Sequence, residues 1–87
     1  MKREKIIGDA LELINGDRAE KYGPALATHK RIAAGWSVIF GVEIKPYHVA
    51  LAMIWLKVCR LIHANDDDSW KDIVGYGGIG GEIADEE

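Results

Sequence analysis

The sequence predicts an all-α fold of four short helices, arranged as a small bundle or as two helical hairpins. Three observations lead there. Apolar residues recur at intervals of three and four along most of the chain, the period of a helix packed on one face. Glycine or proline marks the breaks between those stretches, at Gly16, Gly23-Pro24, Gly41 and Pro46. No segment alternates apolar and polar residues as a half-buried strand does.

Composition narrows the class. A hydrophobic share of 48% with 29% charged residues describes a globular chain. Eighty-seven residues are expected to form a single domain, 1–87. A domain of that size buries only about 60 to 65% of its unfolded surface, so association into a homo-oligomer is expected. The net charge of −3 leaves no basic excess for general nucleic-acid binding. A small nucleotide needs only a local cationic pocket. The single cysteine, Cys59, excludes an internal disulfide or a multi-cysteine zinc site and suits a reduced, cytoplasmic setting. Asp9 and Glu12 break the apolar region that a signal peptide requires. The run Val49–Leu56 falls far short of the roughly 20 residues that span a bilayer.

The first helix is placed at Lys2–Asn15, with Ile7, Ala10, Leu11 and Ile14 inward and Asn15-Gly16 as its C-cap. The connector GDRAEKYGP, from Gly16 to Pro24, has two readings. Its polar residues suit any connector; alternatively, Arg18 and Tyr22 reach back over a pocket. The second helix runs from Pro24 or Ala25 to Phe40 and stops at Gly41, with an inward stripe of Leu26, His29, Ala33, Trp36 and Phe40 broadened by Ile32. On that face His29 reads as a hydrogen-bonded core residue rather than a ligand. Trp36 reads as a core anchor rather than a stacking platform.

The third helix extends from Pro46 to about Ala64. It is apolar all round from Val49 to Leu56, which places it centrally or at a subunit interface. Lys57, Arg60 and Ala64 share one of its faces with Met53. Asn65-Asp66-Asp67 breaks it, and one of these aspartates is expected to cap a fourth helix starting near Asp68. Trp70, Ile73, Gly77, Gly80 and Ala84 form the expected face of that helix, with Gly77 and Gly81 admitting a close neighbour. Glycine costs near 1 kcal/mol against alanine in a helix, so a frayed or irregular distal half is expected between Gly75 and Gly81, with Asp85–Glu87 a solvated tail.

The stretch with most chemistry is Lys57 to Asp72, KVCRLIHANDDDSWKD. Two cations interrupt the most apolar run of the chain, and four acids follow. Buried charge needs pairing, so either an ion-pair knot or a site for phosphate or metal accounts for the pattern. One helical turn separates Asp68 from Asp72, a spacing that suits a hard cation such as Mg²⁺ completed by substrate phosphates. On the other reading Asp68 caps the helix and Asp72 pairs with Lys57 or Arg60. Tyr76 follows Asp72 by one further turn, within reach of the cluster or of a base. Gly75, Gly77 and Gly80 spell G-x-G-x-x-G, but no strand precedes them, so the dinucleotide fingerprint is set aside. No Ser–His–Asp arrangement, H-E-x-x-H or Walker loop is present.

The order GDRAEKYG, THKRIAAGW, VALAMIWLKVCRL, DSWKDIVGYGGIGGE, spanning Ile6 to Glu82, resembles a family of small phage and prophage proteins of unknown function. Such proteins look like shortened relatives of the MazG-like all-α nucleoside triphosphate pyrophosphohydrolases. Members of that superfamily hold magnesium through E-x-x-E on one helix and E-x-x-D on a later one. Here Asp68 and Asp72 would stand for the later pair. Asp68 and Asp72 stand at an altered spacing of four; for the first pair Asp9 and Glu12 are three apart but lie on the first helix, and the second helix carries no acid.

The resemblance implies a small phage-type protein that binds a nucleotide or its phosphates, with Mg²⁺-dependent pyrophosphohydrolysis as the extension. Arg18, Lys57 and Arg60 would meet phosphate oxygens, Asp68 and Asp72 would hold Mg²⁺, and Tyr22 and Tyr76 would contact base or sugar. Two alternatives stand beside it. One is a non-enzymatic sponge for a host signalling nucleotide, and the other is a protein-interaction module whose Lys57–Asp72 cluster is structural.

Overall fold

A computed structural model describes residues 1–16, 20 and 24–86. Among them the chain forms four helices and no strand: α1 (Arg3–Asn15), α2 (Ala25–Phe40), α3 (Pro46–His63) and α4 (Asp67–Glu86). The fold is the small all-α bundle that the periodicity predicts. No helix among the described residues is long and apolar enough to cross a membrane.

α3 and α4 form an antiparallel hairpin, with Lys57 facing Asp72 near the turn and Ala50 facing Gly80 at the far end. α4 packs most extensively on α3 and next on α1, whereas α2 lies mainly on α3 and only grazes α4. Among the described residues α1 touches neither α2 nor α3, so α4 is what joins it to the bundle.

Local chemistry sets the ends. Asp66 caps α4 twice over, with Oδ1 accepting the Ser69 N–H and Oδ2 the Ser69 hydroxyl, both at 2.7 Å. In the same turn the Trp70 indole N–H donates to Asn65 Oδ1 at 2.7 Å. α2 ends at Gly41, whose φ of 69° is left-handed and whose N–H closes on the Ser37 carbonyl. The Ser37 hydroxyl accepts the Ile44 N–H at 2.8 Å and donates to the Ala33 carbonyl, which fixes the turn into α3. Pro46 then supplies the first residue of α3, where a missing N–H costs nothing.

α4 is helical through its glycines to Glu86, where a frayed half was expected. The reason is contact. A Cβ built on Gly80 would lie 2.8 Å from Ala50 Cβ, and one on Gly75 would lie 3.3 Å from Ile14 Cγ2. Glycine at these positions lets α3 and α1 approach closely, and the packing offsets the low helix propensity. The close approach belongs to Gly75 and Gly80 rather than to Gly77 and Gly81, which face open space.

Two other faces are rotated from expectation. In α1 the inward residues are Ile6, Ala10, Leu13 and Ile14, while Ile7 and Leu11 are exposed. In α2 the stripe holds at His29 and Ala33, but Phe40 is exposed at the helix end. The core is thin: the fully buried apolar residues among those described are Ala10, Ala33, Val49, Ala50 and Ile83.

The glycine account predicts opposite signs for two alanine substitutions. Gly77→Ala gains about 1 kcal/mol from helix propensity alone. Gly80→Ala loses about 1 to 2 kcal/mol, because overpacking against Ala50 exceeds that gain. Urea denaturation of the two variants measures both.

Candidate functional site

Charge gathers on both flanks of α4. On the α3 side Lys57 Nζ meets Asp72 Oδ2 at 2.9 Å, with the two side chains only 11% and 17% exposed. On the α1 side Lys71 Nζ meets Asp9 Oδ2 at 3.0 Å, and Lys5 reaches the same carboxylate at 3.1 Å. Hydrogen bonds from Lys71 and then Lys5 hold the Asp9 carboxyl below the usual carboxylate range, and Asp9 in turn raises Lys71. The Asp66 carboxyl is lowered chiefly by the Ser69 hydroxyl and then by the Ser69 N–H. Successive residues of one helix, Lys71 and Asp72, therefore tie it to two different neighbours with opposite charges.

Of the residues singled out from sequence, Lys57 and Asp72 come together. Tyr76, one turn beyond Asp72, shares with it a crevice between α1 and α4 of about 10 Å³, bounded by Leu13, Ile14 and Gly75. That volume is marginal for a single water. Arg60 lies elsewhere: it is exposed and lines a groove with Trp55, Leu56 and His63 on the outer side of α3. Asp68 is 92% exposed and approaches Lys71 at 4.0 Å, whereas Asp72 engages Lys57. The two carboxylates thus serve different lysines. Among the described residues no three His, Cys, Asp or Glu side chains converge as a metal site. Arg18 and Tyr22 lie outside the described residues.

A further polar group lies near Tyr76. His29 of α2 is 6% exposed, and its Nδ1–H donates to the Ala25 carbonyl at 2.8 Å. With Nδ1 as donor, the neutral ring carries a lone pair on Nε2. That atom is buried and has no hydrogen-bond partner among the described residues. Its ring stands 6.4 Å from that of Tyr76, tilted by 57°. The inward stripe of α2 gave its position; nothing in the sequence marks its second nitrogen as unsatisfied. The Asp9–Lys71 pair was also missed as a tertiary link, because only Lys5–Asp9, four residues apart on α1, is visible along the chain.

The chain matches, over residues 5–84, the family described as Domain of unknown function (DUF6378). It belongs to that family. Gene 55 protein of Mycobacterium phage L5 is 43% identical over 76 residues, covering 85% of this chain and 49% of the phage protein. Gene 55 protein of Mycobacterium phage D29 is 34% identical over 84 residues, covering 95% of this chain and 56% of that protein. The chain therefore spans about half the length of these curated DUF6378 relatives. No solved structure matches it. The expectation of a phage family of unknown function is met at that level.

For this DUF6378 domain the energetic consequence of the cluster is specific. A buried lysine that loses its counter-charge is costly, whereas an apolar pair of similar volume restores the balance. Asp72→Asn is expected to lose about 3 kcal/mol of stability, and the double variant Lys57→Met/Asp72→Leu to recover most of it. Chemical denaturation of the three proteins at neutral pH gives both values.

Proposed function

We propose that this domain binds a phosphate-bearing small molecule of the nucleotide class at the junction of α2, α3 and α4. The observation that carries the reading is the buried Nε2 of His29, without a hydrogen-bond partner among the described residues, beside the ring of Tyr76. An unsatisfied buried acceptor costs on the order of 1 to 3 kcal/mol, a cost that a bound donor removes. A sugar hydroxyl or a base N–H is such a donor. Lys57, held in place by Asp72, supplies the cation for a phosphate, with two further N–H donors beyond the one directed at Asp72. The resemblance to MazG-like pyrophosphohydrolases supports a nucleotide as the ligand class. The separate engagement of Asp68 and Asp72 favours binding without metal-assisted hydrolysis, as in a sponge for a signalling nucleotide.

The near-complete enclosure of Lys57 and Asp72 supports a second reading, in which the pair is a rivet and the domain works by protein contact. Thermal-shift and calorimetric titration with nucleoside mono-, di- and triphosphates and cyclic nucleotides separate the two. The binding reading predicts that at least one nucleotide raises the melting temperature. His29→Phe keeps the fold, removes the acceptor and weakens that ligand about tenfold, the equivalent of one hydrogen bond. If no nucleotide shifts the melting point, the rivet reading stands instead; if a nucleotide binds His29→Phe unchanged, its site is not at His29.

A further inference from the structure

The three histidines of the chain are placed differently with respect to a proton. His29 uses Nδ1 as a donor, a role that protonation of the ring leaves intact. His63 is exposed in the last turn of α3, where a cation suits the helix end. His48 is the opposite case. It lies in the first turn of α3, where its Nδ1 accepts the Lys45 N–H at 3.0 Å. The His48 N–H in turn donates to the Lys45 carbonyl at 2.9 Å. Lys45 is the residue that precedes the helix, and a lysine side chain has no acceptor with which to cap it. His48 therefore plays the part that Glu or Gln takes three residues into a capping box.

We propose that the first turn of α3 is a proton-sensitive latch, closed by neutral His48 and opened when Nδ1 takes a proton. Two effects act in the same direction. Protonation makes Nδ1 a donor, which leaves the Lys45 N–H without its acceptor. It also puts a cation in the first turn of a helix, where the backbone N–H groups already present positive charge. Tyr47, with its ring 4.4 Å away, gives the imidazolium an aromatic neighbour without restoring the lost bond. Charged groups around the latch are few. Glu43 and Lys45 in the turn are exposed and opposite in sign. Residues 32–42, the part of α2 that leads into this turn, hold no ionisable group. The end of α4 contributes Glu82, Asp85 and Glu86, all exposed. The opening is local, because the Ser37 hydroxyl holds the Ile44 N–H whatever the state of His48.

Nuclear magnetic resonance of the full chain, titrated from pH 8 to pH 5, follows the His48 ring and the Lys45 amide together. Imidazole takes up its proton within that range. The Lys45 amide resonance should move with the same midpoint as the His48 ring. Its hydrogen-exchange protection factor should fall up to about tenfold, as for one hydrogen bond, while amides in the middle of α3 keep theirs. His48→Gln supplies an acceptor that does not titrate and should hold the Lys45 amide protected at pH 5. His63→Gln, an exposed change in the last turn of the same helix, should leave the pH response as it is in the wild type. A Lys45 amide that does not follow the His48 ring, or a response that persists in His48→Gln or vanishes in His63→Gln, overturns the proposal.

Discussion

The salt bridge between Lys57 and Asp72 is the contact around which the bundle is ordered. Its two side chains come from the paired arms of the α3–α4 hairpin, near the turn at which Asp66 caps α4. At the other end of the same hairpin Gly80 lies against Ala50. Charge near the turn and close backbone approach at the far end together fix the register of the two helices. α1 is then added to the opposite flank of α4 by Lys71 and Asp9 and by Ile14 against Gly75. A buried ion pair adds little net stability over an apolar pair of the same volume, but it penalises every register in which one partner is left alone. With so few large side chains in the core, specificity of that kind is what this chain needs.

Much of this was legible in the sequence, and the remainder fails for identifiable reasons. Helix boundaries were readable because caps and breakers are local: Gly41 and Pro46 act within a turn of where they stand. The pairing of Lys57 with Asp72 was readable as one of two alternatives because a cation within an apolar run leaves few solutions. Which glycines admit a neighbour was not readable. Gly75, Gly77, Gly80 and Gly81 are chemically identical, and the faces they occupy depend on where α1 and α3 lie. The same dependence moved Arg60 to the outer side of α3 and Asp68 into solvent, although each shares a helix with a residue of the cluster. The inward stripe of α1 was misplaced by one residue, since Ile6-Ile7 and Ala10-Leu11 offer two stripes of nearly equal apolarity.

The function was less legible than the fold. Membership of a phage-protein family narrows the setting without naming a chemistry. His29 was read as a core residue, and its Nδ1 behaves as one. Its Nε2 does not, and that atom shifts attention from the acids of α4 to the junction that α4 shares with α2 and α3. Asp68 and Asp72, the carboxylates expected to hold Mg²⁺, approach different lysines in this structure.

The central claim is that α4, glycines included, is the ordered hub to which α1 and α3 are both fastened. Native-state hydrogen exchange measures this directly. The account predicts that amides from Gly75 to Ile83 are among the slowest in the chain and exchange only through global unfolding. Rapid exchange across Gly75–Gly81, with protection confined to α2 and α3, would contradict it.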